Sequence, residues 1–115
     1  MGCKVVHVSS LPTTPGPHPA ASQYDKGIGR RLGLQTFDVY QVELPPCAHS
    51  VEHDHSDDGA EDMYAVIQGE GQVVVDGQDM PVQAGTFVAV AADSSRYMQA
   101  GDAGLVYIAV CTAPH

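Results

Sequence analysis

From Leu34 onward the chain never keeps helical periodicity for as long as about ten residues. Short apolar runs are instead cut at close intervals by turn residues. Leu34–Leu44 (LQTFDVYQVEL) alternates with period two and is stopped by Pro45-Pro46. Asp62–Gln68 (DMYAVIQ) is closed by Gly69-Glu70-Gly71. Gln72–Val75 and Gln78–Val82 flank Asp76-Gly77, a pair suited to the positive φ values of a two-residue hairpin turn. Ala84-Gly85 turns the chain into Thr86–Ala91, and Arg96–Gln99 and Gly104–Thr112 complete the set. About eight to ten short strands with glycine at most of the turns predict an all-β sandwich or barrel.

Residues 1–35 read differently, as an extended N-terminal arm ahead of a barrel domain over 36–115. Cys3–Val8 alternates weakly and suits pairing at a sheet edge. Leu11–Pro19 contains four prolines, each lacking a donor and fixing φ, so it cannot be a helix or a central strand. Gly27, Gly29 and Gly33 predict little regular structure beyond it.

With 115 residues the chain has room for one modest core. Its formal charge of −9, from 5 Lys+Arg against 14 Asp+Glu, argues against nucleic acid or an anionic membrane as partner. No apolar run approaches the ~18 residues of a membrane span, and no apolar signal-peptide centre opens the sequence. Three widely spaced cysteines, Cys3, Cys47 and Cys111, form no disulfide framework and no CxxC site. A cytoplasmic location is the expectation. The cysteines at 47 and 111 read as buried small side chains, and Met63, Met80 and Met98 as barrel filling.

Chemistry concentrates in His49-Ser-Val-Glu-His53-Asp-His55. On a strand, residues i and i+2 share a face roughly 6–7 Å apart, so His53 and His55 can converge on one ion at about 2.0–2.1 Å from each nitrogen. A carboxylate opening the next strand, Asp62 or its neighbour Glu61, extends this into a metal-site signature. The alternative is a pair of solvated histidines beside Asp54, Asp57 and Asp58. His49 would sit on the order of 13 Å from His53 and reads as a rim or loop residue.

These residues resemble the cupins, small β-barrels of the jelly-roll type. The family's first motif runs Gly, five residues, His-x-His, three or four residues, Glu, six residues, Gly. Here Cys47 stands at the first glycine, His53-Asp-His55 supplies the pair, and Asp62 precedes Gly69 by six intervening residues. In the second motif Gly85 matches the leading glycine, while Ala91, Asp93, Arg96 and Ala100 replace Pro, Gly, His and Asn. The resemblance covers roughly residues 36–111. It implies a cupin-type jelly-roll barrel, pairing as a homodimer, and a small-molecule substrate. Arg96 stands where the family's last histidine ligand belongs.

The implied ligand set is therefore His53, His55 and Asp62 or Glu61. Two histidines and one carboxylate suit a divalent Fe, Zn, Mn or Ni ion with open positions for substrate. Arg96 has two readings: a clamp on an anionic substrate, or a salt bridge with Asp62 or Glu61 that neutralises the pocket. Tyr64 offers a phenolic donor to the site or packs in the core. Three functions follow: a metal-dependent enzyme of isomerase, cyclase or dioxygenase type; a metal-free enzyme using His53 or His55 as base; or a non-catalytic small-ligand binder.

Overall fold

The computed structural model describes residues 2–15 and 20–112. Its elements are β1 (Asp25–Gly27), α1 (Gly29–Leu32), β2 (Phe37–Leu44), β3 (Asp62–Val75), β4 (Gln78–Gln83), β5 (Phe87–Val90) and β6 (Arg96–Thr112). All pairings are antiparallel, in the order β1-β2-β6-β3-β4, with β5 added to β3. The expected all-β architecture is the one observed. Among the described residues no helix is long and apolar enough to cross a membrane.

The strands are fewer and longer than the turn signals predict. Gly69-Glu70-Gly71 does not end a strand; it bends β3, whose pairing with β6 shifts register between Val66 and Gln68 and again between Gly69 and Gly71. Burial follows the bends. Asp62, Tyr64 and Val66 face inward before them, Gly71 and Val73 after them, and Ile67 is left 50% exposed. β6 switches phase in the same way, from Arg96, Met98 and Ala100 to Leu105 and Tyr107. Two long bent strands thus do the work of four short ones. Glycine is required at the crossing: a Cβ on Gly71 would run into the Gln99 carbonyl oxygen, and Gly69 has φ +83°.

The Asp76-Gly77 hairpin forms as read, with φ values of 50° and 80° and Val75 opposite Gln78. Val42, Leu44, Val66, Val73, Met98 and Leu105 form the centre of one core. Of the three methionines assigned to the interior only Met98 is buried; Met80 is 41% exposed on β4. Cys47 is also exposed, because it holds the left-handed turn after Pro45-Pro46 at φ 65°, a conformation that explains glycine in the family's pattern. Cys111 is half-buried.

The N-terminal region departs from its reading. Cys3–His7 forms no strand and runs into a short 3-10 turn at Val8–Ser10. Instead Asp25–Gly27 pairs with Gly27↔Tyr40 and Asp25↔Val42, and a single helical turn follows, closed by Gly33 at φ 72°. Of the proline-rich segment, residues 16–19 lie outside the described residues.

Candidate metal centre and cavity

The histidine segment is no regular strand, yet it runs antiparallel along the first half of β6. Ala100 N–H donates to the Ala48 carbonyl (2.8 Å) and Ser50 N–H to the Met98 carbonyl (2.9 Å). His53 and Arg96 exchange both backbone bonds, at 3.1 and 2.9 Å. That directly opposed pair puts the two side chains on one face. The chain then turns, His55 N–H donating to the Ala92 carbonyl at 2.7 Å. The rings of His53 and His55 lie 5.0 Å apart, nearly perpendicular at 87°. His49 lies outside, edge-on to Tyr97 at 5.9 Å.

Asp62 arrives from the start of β3, where it is paired by Cys111 of β6 on one side and Val90 of β5 on the other. The inward phase of Asp62 and Tyr64 decides between the two acids: Asp62 is buried, and Glu61 is exposed and outside the cluster. Asp62 Oδ2 accepts from Arg96 Nη1 at 2.7 Å and from the Tyr64 hydroxyl at 3.0 Å. His55 Nε2 lies 3.0 Å from the same oxygen and His53 Nε2 3.6 Å. Oδ1, equally buried, has no hydrogen-bond partner. Burial alone favours the neutral acid, but the neighbouring His53 and His55 rings, the Tyr64 hydroxyl and Arg96 outweigh it and hold the carboxyl below its ordinary range. Burial beside Asp62 pushes the Tyr64 phenol far up, so it stays a donor.

Each imidazole is fixed from behind. His53 Nδ1–H donates to the Val51 carbonyl at 3.0 Å, and His55 Nδ1–H to Asp58 at 3.1 Å. Both Nε2 atoms therefore turn to Asp62. His55 has a carboxylate at each ring nitrogen, whereas a neutral imidazole carries one N–H. Its contact with Asp62 is favourable only with positive charge at Nε2, a proton or a metal ion. One ligand atom from each of His53, His55 and Asp62 lies within 4.8 Å of the others, and carbonyl and carboxylate partners behind ligating histidines are the usual support of metal sites. The residues fit a divalent ion.

Arg96, read as a possible clamp on substrate, does not line the cavity beside the cluster. It is 0% exposed, and its three donor nitrogens are taken by Asp62 (2.7 Å), the Ala91 carbonyl (2.7 Å) and the Ser94 carbonyl (3.1 Å). The salt-bridge reading is the geometry observed, and the reason is the His53–Arg96 register, which aims the guanidinium behind Asp62.

In front of the cluster opens a cavity of about 100 Å³. His53, His55, Asp62 and Tyr64 line one side; Tyr40, Val42, Tyr107 and Ala109 line the sheet, with Asp25 at its edge; Ala20, Ala21 and Ser22 add to the lining. The sequence reading places Asp58 only among the acids beside solvated histidines and gives Asp25 no place. Asp58 stands three residues from His55, a local signal open to reading. Asp25 enters only through the Asp25↔Val42 pairing, which no local pattern announces.

The Cupin domain family model matches residues 40–111. Among solved structures, a sugar phosphate isomerase of the cupin superfamily from Silicibacter pomeroyi superposes with a TM-score of 0.78 at 20% identity, covering 96% of this chain and 76% of that one. A predicted oxalate decarboxylase from Thermotoga maritima gives 0.72 at 22%, covering 96% and 100%. A cupin protein from Bacteroides fragilis gives 0.69 at 22%, covering 86% and 83%. At these identities the likeness is one of fold, the cupin jelly roll. No curated protein matches the sequence. The matched span holds both histidines, the acid and the strands that bring them together: the chain belongs to the cupin domain family.

Proposed function

We propose that this cupin is a metal-dependent enzyme acting on a small molecule bound in the cavity beside Tyr64, with His53, His55 and Asp62 holding the ion. One observation carries the reading. Both Nδ1 atoms are committed to acceptors, so both Nε2 atoms face an Asp62 whose Oδ1 is buried without a partner. A divalent ion held there supplies Lewis acidity toward an oxygen of the bound molecule. The chain's own groups do the rest. Arg96 and the Tyr64 hydroxyl hold Asp62 through Oδ2, Asp58 holds the His55 ring, and Val42 and Ala109 give the cavity an apolar wall.

The test is metal content per chain, for protein as purified and after reconstitution with Fe, Zn, Mn or Ni. Near-stoichiometric uptake that disappears in a His53→Ala, His55→Ala double variant is expected. Substoichiometric metal that reconstitution does not raise overturns the reading.

A second reading, a metal-free enzyme with His53 or His55 as base, is favoured by the Arg96–Asp62 bond at 2.7 Å, which already places a cation on the acid. Turnover surviving full chelation would select it. Ligand binding without turnover, intact in His53→Ala, would select a non-catalytic binder.

A further inference from the structure

The cavity's charge is as informative as its shape. The chain has five Lys and Arg side chains, all among the described residues, and none lines the cavity. Arg96 is fully buried behind Asp62. Lys26 is bound to the Val8 carbonyl and to Glu43, both at 3.4 Å. Arg30 and Arg31 line a surface groove with Leu11 and Pro12 whose lining shares Tyr40 with the cavity, and Lys4 lies against Gly33.

The acids are placed oppositely. Asp25, only 9% exposed, lines the cavity from the edge strand β1 beside Val42 and accepts from the Ser22 N–H at 3.0 Å and the Ser22 hydroxyl at 2.8 Å. Asp62 lines the far side, and Asp58 stands behind His55. Together these three carboxylates balance a divalent ion and Arg96, so a loaded site offers no surplus positive charge to an anion. The remaining surface is Val42, Val51, Ala109 and the rings of Tyr40, Tyr64 and Tyr107. The phenols add no positive charge, and two of them already donate to carboxylates, Tyr40 to Asp38 at 2.9 Å and Tyr64 to Asp62 at 3.0 Å.

We infer that the cavity selects an uncharged small molecule with an apolar or aromatic body and neighbouring hydroxyl or carbonyl oxygens, and that Asp25 is the residue that turns phosphates and dicarboxylates away. The inference rests on the cavity being the substrate site proposed above. Its physical basis is that an anion entering a site whose charges already balance meets the Asp25 carboxylate, whereas an uncharged molecule meets no such repulsion.

Calorimetric titration of the full chain, zinc-loaded and metal-free, with 1,2-dihydroxybenzene, phenyl phosphate and benzene-1,2-dicarboxylate tests this. The diol is expected to bind at least about tenfold tighter than either anion in the loaded protein. Asp25→Asn, which keeps an acceptor for the Ser22 hydroxyl, should narrow that gap; its urea midpoint checks that the fold is retained. An anion binding as tightly as the diol, no binding of the diol, or an unchanged gap in Asp25→Asn each overturns the inference. The two readings fail separately. A chain that takes up no zinc yet prefers the diol loses its metal and keeps its selectivity; a chain that takes up zinc and prefers phosphate does the reverse.

Discussion

Arg96 Nη1 lies 2.7 Å from Asp62 Oδ2, and neither side chain is more than 6% exposed. A carboxylate this deep needs a cation within reach, and the guanidinium meets it while also capping two carbonyls. Arg96→Met removes the fixed cation nearest Asp62 and should cost about 3 to 5 kcal/mol in urea unfolding of the metal-free protein. A loss below about 1 kcal/mol would mean the pair is dispensable.

Asp58 reaches the site through His55. Replacing it with Asn weakens the hold on the ring without touching the ligand atoms. Metal affinity should fall about 10- to 100-fold, with stoichiometry at saturating metal unchanged. Competition against a coloured chelator reads this directly, and wild-type affinity in Asp58→Asn would count against the supporting role.

Acid should act through Asp62. Its carboxyl is held below the ordinary value in the folded chain, while in the unfolded chain it titrates near about 3.9. The contribution is fully present above that pH and is lost as pH falls through the folded-state pKa. Metal-free protein should therefore lose stability on acidification below about pH 4, more steeply than Asp62→Asn does. Parallel pH profiles for the two proteins would contradict the assignment.

The three thiols should react unequally. Cys3 and Cys47 are exposed, whereas burial, with Asp62 and Asp38 nearby, pushes the Cys111 thiol up to about 12. At about pH 8, iodoacetamide should label Cys3 and Cys47 and spare Cys111 in the folded protein, as peptide mass mapping will show.

Much of this arrangement was readable because its determinants are local. His53-Asp-His55 and the alternation of Asp62 and Tyr64 on β3 sit within a few residues of one another. The same parity rule separates Asp62 from Glu61, provided β3 is taken as starting at Asp62. What escaped reading depends on register between distant strands. The bulges at Gly69–Gly71 look like chain ends in sequence, because glycine serves bends and turns alike. The aim of Arg96 follows from its pairing with His53, and the presence of Asp25 in the cavity follows from its pairing with Val42. A family pattern that expects histidine at position 96 marks the place correctly but says nothing of which way a guanidinium points.

The acid and the imidazoles are anchored with unequal firmness. Asp62 lies on a strand laddered on both edges, while His53 and His55 ride a segment tied to its neighbour by single bridges and scattered bonds. Amide protons around the histidines should thus exchange with solvent well before those of central β3, and a captured ion would stitch the looser flank to the tighter one.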